Sequence, residues 1–126
     1  MAVKVIDSSA LAALVFVEPE GQRVVNLIQD DDLVAPHLLS FELANVCLTK
    51  IRRHPSQKTL LLAGFHMIDQ LPLTCMDVNL SEALELAEAF GLTVYDSSFL
   101  WLAMTLDVEL LTLDKSLAKA FHKIKK

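Results

Sequence analysis

Short apolar runs alternate along the chain with longer stretches of helical periodicity. The apolar runs have the length of buried strands and lie at Val3–Ile6, 33–35, 73–76 and 109–112. Between these runs, apolar residues recur at spacings of three and four, which predicts helices over 8–17, 37–53, 56–70, 80–90, 97–106 and 115–124. A brief extended segment is expected at 93–95. Strands that alternate with helices predict a parallel sheet covered on both faces.

Proline and glycine mark the ends of several predicted helices. Pro36 opens the long helix 37–53, and Pro55 follows the end of that helix. Gly91 stops the helix over 80–90. Because no internal repeat or low-complexity segment interrupts this order, we expect a single domain over 1–126.

The composition fits a compact domain without disulfides. Hydrophobic residues make up 53% of the 126 residues, and the longest apolar stretch, 10–17, is far shorter than the roughly 20 residues of a membrane helix. Asp7 interrupts the N-terminal run before a signal-peptide core could form, so we expect a cytoplasmic protein. The two cysteines, Cys47 and Cys75, lack CxxC spacing and therefore predict neither zinc nor a disulfide framework.

Acidic residues follow several of the predicted strands. Asp7 comes directly after the first strand, Asp96 follows the extended segment, and Asp114 follows the last strand. Ligands gather beyond the carboxyl ends of strands in open parallel sheets, so these side chains are expected at one edge. Glu42 lies about one turn into the long helix, close enough to point at the same place.

Each of these aspartates also has a simpler interpretation, because Asp is a favoured N-cap residue and each stands where a helix begins. Glu42 has no such role. Its neighbours one turn away include Leu38 and Val46, and a carboxylate on that apolar face costs several kcal/mol unless it is paired. The chain offers no obvious Arg or Lys on that turn, so a cation from outside the chain is the simplest partner.

A divalent cation would also relieve the repulsion among four carboxylates, which is roughly 4 kcal/mol for two of them about 4 Å apart. Oxygen ligands without His or Cys select Mg²⁺ or Mn²⁺. Such a site supplies the chemistry of phosphodiester hydrolysis. The net charge of −5 argues against general phosphate neutralisation, yet most of it would reside in this site.

The segments around the four acids resemble the motifs of PIN-domain proteins, specifically the VapC-type toxin ribonucleases of prokaryotic toxin–antitoxin pairs. The similar segments are VIDSSAL at 5–11, FELANV at 41–46, YDSSFL at 95–100 and LTLDKSL at 111–117. Four such segments in order over the whole chain make the resemblance specific. It implies a three-layer α/β/α Rossmann-like fold with a central parallel sheet. It also implies Mg²⁺- or Mn²⁺-dependent RNA cleavage that leaves a 5′-phosphate and a 3′-hydroxyl, inhibition by a cognate antitoxin, and homodimers.

The resemblance assigns roles to single residues. Asp7 and Asp96 would be principal metal ligands, and Glu42 and Asp114 would bind or orient metal and water. Ser8 and Thr112 would be supporting hydroxyls. Asn45 shares a helix face with Glu42 and is either a hydrogen-bond partner of that carboxylate or an ordinary polar residue.

Two basic groups are candidates for RNA contacts: Lys115 and Lys119 in the last helix, and Lys50 and Arg52 at the end of the long helix. The simpler interpretation is that they are solvated helix ends whose charge complements the helix dipole.

Three other functions compete with the nuclease. A receiver-like phosphoacceptor signalling domain needs an acidic pair after its first strand, whereas Asp7 is single. A haloacid-dehalogenase-type phosphatase needs an Asp at the position of Ser9. A catalytically silent RNA-binding or scaffolding protein of the same fold remains an alternative, although four retained acids argue against it.

Overall fold

The computed structural model describes residues 2–125, which form four strands and seven α-helices. The elements are β1 (Val3–Ile6), α1 (Ser8–Val15), α2 (Gly21–Ile28), β2 (Asp32–Pro36), α3 (Leu38–Arg53), α4 (Lys58–His66), β3 (Leu73–Met76), α5 (Leu80–Phe90), α6 (Val94–Leu106), β4 (Glu109–Leu111) and α7 (Lys115–Lys125). Short 3₁₀ turns over Pro55–Gln57 and Met67–Gln70 flank α4. This order confirms the predicted alternation of strands and helices.

All strand pairs are parallel, and the strand order is β3-β2-β1-β4. The chain adds strands on one side of β1 and then returns to place β4 on the other side. Ile6, the last residue of β1, is in register with Leu111, the last residue of β4. The carboxyl ends of β1 and β4 therefore flank the point where the strand order reverses, which is where such sheets bind ligands.

The helices form two groups that cover the sheet in a three-layer α/β/α arrangement. In one group α1 packs against α2 and α3, and α3 packs against α4; in the other α6 packs against α5, α7 and three of the strands. The core between the layers contains fully buried Ile6, Leu11, Leu43 and Phe99. Burying each such side chain contributes about 1.5–3 kcal/mol, so this core holds the strand ends in place.

Two local predictions were wrong, and one helix was missed. Of the expected extended segment at 93–95 only Thr93 is extended, because it is the N-cap of a helix that already begins at Val94. The predicted helix over 56–70 is shorter, with α4 between two 3₁₀ turns. Helix α2 (Gly21–Ile28) was not predicted at all.

No helix in the part of the chain that the structure describes is long and apolar enough to cross a bilayer.

Candidate active site

Asp7 stands at the junction of β1 and α1, with only 5% of its surface exposed. Its backbone N–H donates to Leu111 O across the sheet at 3.1 Å. Its side chain is the N-cap of α1, where Oδ1 accepts from Ala10 N at 3.0 Å. Oδ2 accepts from the hydroxyl of Thr112, which follows β4. The capping interpretation therefore holds, and it fixes the carboxylate at the end of the sheet.

Ser9 is a site residue that the sequence interpretation missed. Its Oγ donates to Asp7 Oδ1 at 2.7 Å and accepts from Leu113 N at 2.9 Å. Ser9 thus ties the start of α1 to the segment after β4, and with Thr112 it holds both oxygens of Asp7. The spacing i, i+2 from an N-cap aspartate is a weak sequence signal, since the decisive partner lies about a hundred residues away.

Glu42 lies half-buried one turn into α3, as predicted. Its Oε1 accepts a hydrogen bond from Ser8 Oγ at 3.1 Å, so Ser8 does contact an acid of the candidate site. Asn45 is exposed on the same helix, and the hydrogen bond that Glu42 accepts within residues 2–125 comes from Ser8 instead. A role for Asn45 in orienting Glu42 therefore remains a prediction.

Asp96 and Asp114 occupy different positions at their helices. Asp96 is not an N-cap: Thr93 caps α6 and accepts from Asp96 N at 3.1 Å, so the Asp96 side chain stands in the first turn. Asp114 precedes α7, and its Oδ1 accepts from Leu117 N at 3.0 Å. Both carboxylates are half-buried. Helix capping thus explains the position of the Asp114 carboxylate, whereas the Asp96 carboxylate has no capping role.

The four carboxylates act on one another electrostatically. Burial raises the pKa of Asp7 above its ordinary value, Asp114 raises it further, and the hydrogen bonds from Thr112, Ala10 and Ser9 oppose the shift. Burial, and then the charges of Asp96 and Asp7, raise the pKa of Glu42 against the hydrogen bond from Ser8.

Asp96 follows the same pattern. Burial, and then the charges of Asp114 and Asp7, raise the pKa of its carboxyl, while the hydrogen bond with Thr93 lowers it. The fold thus brings the predicted acids into one field of like charge.

None of the four acids has a cationic partner among the residues that the structure describes. The ion pairs of residues 2–125 are Lys4–Asp31, Lys50–Glu18 and Lys125–Glu109, and His37 Nε2 lies 3.1 Å from Asp77 Oδ1. Across the same residues, no three His, Cys, Asp or Glu side chains converge closely enough to form a ready-made metal cage. The donor set still fits Mg²⁺ or Mn²⁺, because it consists of oxygens whose charge is uncompensated.

The predicted RNA-contacting residues differ in their surroundings. Lys115 and Lys119 are exposed on α7, and Arg52 is exposed at the end of α3. Lys50 instead pairs with Glu18 at 2.5 Å and lies 5.8 Å from the centre of the Phe16 ring. Its ammonium is occupied within the protein, so it is the weakest of the four candidates.

Known proteins of the same architecture match nearly the whole chain. The profile of the family described as PIN domain matches residues 4–123. Ribonuclease VapC3 of Pyrobaculum aerophilum is 30% identical over 122 residues, which cover 93% of each chain. The crystal structure of PAE2754 from the same organism superposes with a TM-score of 0.77 at 20% identity, covering 98% of this chain and 92% of that one. At that identity the structural match shows the fold alone.

Proposed function

The chain belongs to the PIN domain family, and from that premise we propose that it is a metal-dependent endoribonuclease, the toxin of a toxin–antitoxin pair that acts in the cytoplasm. One observation carries the proposal. Asp7 and Asp114, which follow β1 and β4, and Glu42 and Asp96, which lie near the starts of α3 and α6, share one field of negative charge that raises the pKa of Asp7, Glu42 and Asp96, and no cation among residues 2–125 pairs with any of the four. The similarity to a protein named Ribonuclease VapC3 supports RNA as the substrate.

The chain's own residues would divide the work. Asp7 and Asp96 would hold Mg²⁺ or Mn²⁺, which when bound supplies a nucleophilic hydroxide and neutralises phosphate charge. Glu42 and Asp114 would bind or orient the metal and water from the other elements. Thr112 and Ser8, which donate to Asp7 and Glu42, would keep these carboxylates aimed at the site.

We expect the purified protein to cleave single-stranded RNA in millimolar Mn²⁺ or Mg²⁺ and to stop when the metal is chelated. The acids alone hold no positive charge that could stabilise the negative charge that develops on the phosphate and on the departing 3′-oxygen. The measurement is gel analysis of an end-labelled RNA with metal, with EDTA, and after metal is restored, with single-stranded DNA as the parallel substrate.

Two results would contradict this proposal. A folded protein that binds RNA but never cleaves it would favour the catalytically silent alternative. Cleavage that is indifferent to EDTA would remove the metal from the proposal.

A partner protein is the second part of the proposal. An acidic pocket of this kind can be blocked by an Arg or Lys side chain inserted among the carboxylates. Large apolar side chains remain exposed beside the acids, with Phe41 79% exposed next to Glu42 and Tyr95 65% exposed next to Asp96. Such surface suits an apolar segment of an antitoxin or a second copy of the chain.

We therefore expect the protein to dimerise and to copurify with a small protein expressed with it. Replacing the partner's inserted basic residue should restore RNA cleavage with a modest loss of binding, because apolar contacts would carry most of the affinity. Sedimentation, a pull-down and the cleavage assay check this. A monomer that captures nothing and cleaves RNA freely in its host would refute the toxin assignment and leave the nuclease assignment intact.

A further inference from the structure

A row of exposed lysines begins beside the acids. Helix α7 starts directly after Asp114, and Lys115, Lys119 and Lys123 follow at intervals of four residues. Residues four apart lie one above the other on a helix, and a rise of 1.5 Å per residue gives this row a length of about 12 Å. All three side chains are exposed. The row therefore leads away from the candidate active site along one side of α7.

These three lysines differ from several others in that their charge is available. Lys4, Lys50 and Lys125 are engaged by Asp31, Glu18 and Glu109. No ion pair between residues 2 and 125 involves the three lysines of the row. The fold thus neutralises the last lysine of α7 and leaves the row free for a partner with negative charge.

A hollow of about 200 Å³ lies along the same part of α7. Its wall includes Lys119, Lys123 and Ser116 from α7 and Gly91 from the end of α5. No atom lies within 4 Å of the position that a Cβ at Gly91 would occupy, so the space beside this residue is open. Two ammonium groups and a hydroxyl around an open hollow form a suitable surface for an anionic oxygen group.

We propose that Lys115, Lys119 and Lys123 form a track for the phosphates of single-stranded RNA, with the hollow receiving a phosphate beyond the bond that is cut. This proposal rests on the proposed nuclease function. The protein as a whole carries a net charge of −5, so away from the metal held by the acids the attraction for the RNA backbone must come from a local group of cations. A single row of cations suits one strand, and its start beside Asp114 directs that strand towards the acids.

The test is the double variant Lys119→Ala/Lys123→Ala, assayed with a twelve-nucleotide single-stranded RNA. We expect its KM for cleavage to rise on the order of tenfold, and the slope of log K against log salt for RNA binding in EDTA to fall by about 1.4, since each phosphate contact contributes about 0.7. With a trinucleotide, which is too short to extend along the row, the KM of the variant should be closer to that of the wild type.

The matched control is Arg23→Ala/Lys58→Ala, which removes the same charge at exposed positions of α2 and α4. We expect this variant to keep the wild-type KM and salt slope. If KM and the salt slope change equally in both double variants, or do not change in the α7 variant, the lysine track is wrong even if the protein cleaves RNA. If the wild type never cleaves RNA but the α7 variant still lowers the salt slope of RNA binding and the control does not, the nuclease proposal is wrong and the lysine track is supported.

Discussion

Replacing Glu42 with Gln should lower the rate of RNA cleavage by at least about a hundredfold while the protein stays folded, a loss of the size seen when a charge-stabilising catalytic group is removed. Gln is nearly isosteric, and its carbonyl oxygen can still accept the hydrogen bond from Ser8. The change removes a negative charge from a half-buried position whose pKa is raised by burial and by Asp96 and Asp7. We therefore expect the metal-free variant to melt at the same temperature as the wild type or higher.

Opposite effects on activity and stability would identify Glu42 as a functional residue that costs stability. The matched control is Glu88→Gln, the same change at an exposed position of α5. It should leave both the cleavage rate and the melting curve unchanged. A folded Glu42→Gln protein with wild-type activity would remove Glu42 from the site.

Adding Mn²⁺ or Mg²⁺ should raise the melting temperature, because a cation would relieve the repulsion among the four acids. At a hundredfold excess over Kd the gain is about 2.7 kcal/mol, which corresponds to about 10 °C for a domain of this size. Thermal unfolding followed by circular dichroism measures the shift. Asp7→Asn, which keeps an oxygen to cap α1, should reduce the shift strongly, and the same change at exposed Asp107 should not.

The sign of the pH dependence follows from the raised pKa values of Asp7, Glu42 and Asp96. Between the ordinary and the raised pKa of each carboxyl, the folded state binds more protons than the unfolded state. The free energy of unfolding of the metal-free protein should therefore rise as the pH falls through that range, because protonation removes the buried charge. Protons then compete with the metal. The metal-induced shift should therefore be smaller at about pH 5 than at about pH 8, and a shift that grows on acidification would contradict a carboxylate site.

Much of this site was predictable because its information is local. Apolar runs fixed the strands, and an acid after a strand in a parallel sheet has a defined location, as Asp7 and Asp114 show. The start of α6 could also have been predicted, since Thr93 and Asp96 have the spacing of a capping box. It was missed because the same residues were interpreted as an extended segment.

Other features depend on contacts that a pattern along the chain does not contain. The role of Ser9 arises only when the segment after β4 reaches it and Leu113 donates to its hydroxyl. The engagement of Lys50 likewise depends on Glu18, which lies in a different part of the fold. Short-range periodicity carries no information about such pairs, so the supporting residues were harder to predict than the acids.

The pairing of β1 with β4 has a consequence for when activity appears. Lys4 and Glu109 are partners in register, so the first and last strands to be synthesised must meet before the site exists. A chain emerging from the ribosome carries Asp7 and Glu42 early, whereas Thr112 is added 105 residues after Asp7 and Asp114 follows it. Under the proposed function, a chain that stops before β4 would leave the RNAs around it intact. Cleavage would begin only after β4 has been synthesised and has paired with β1, and the folded site is then also available to an inhibitor.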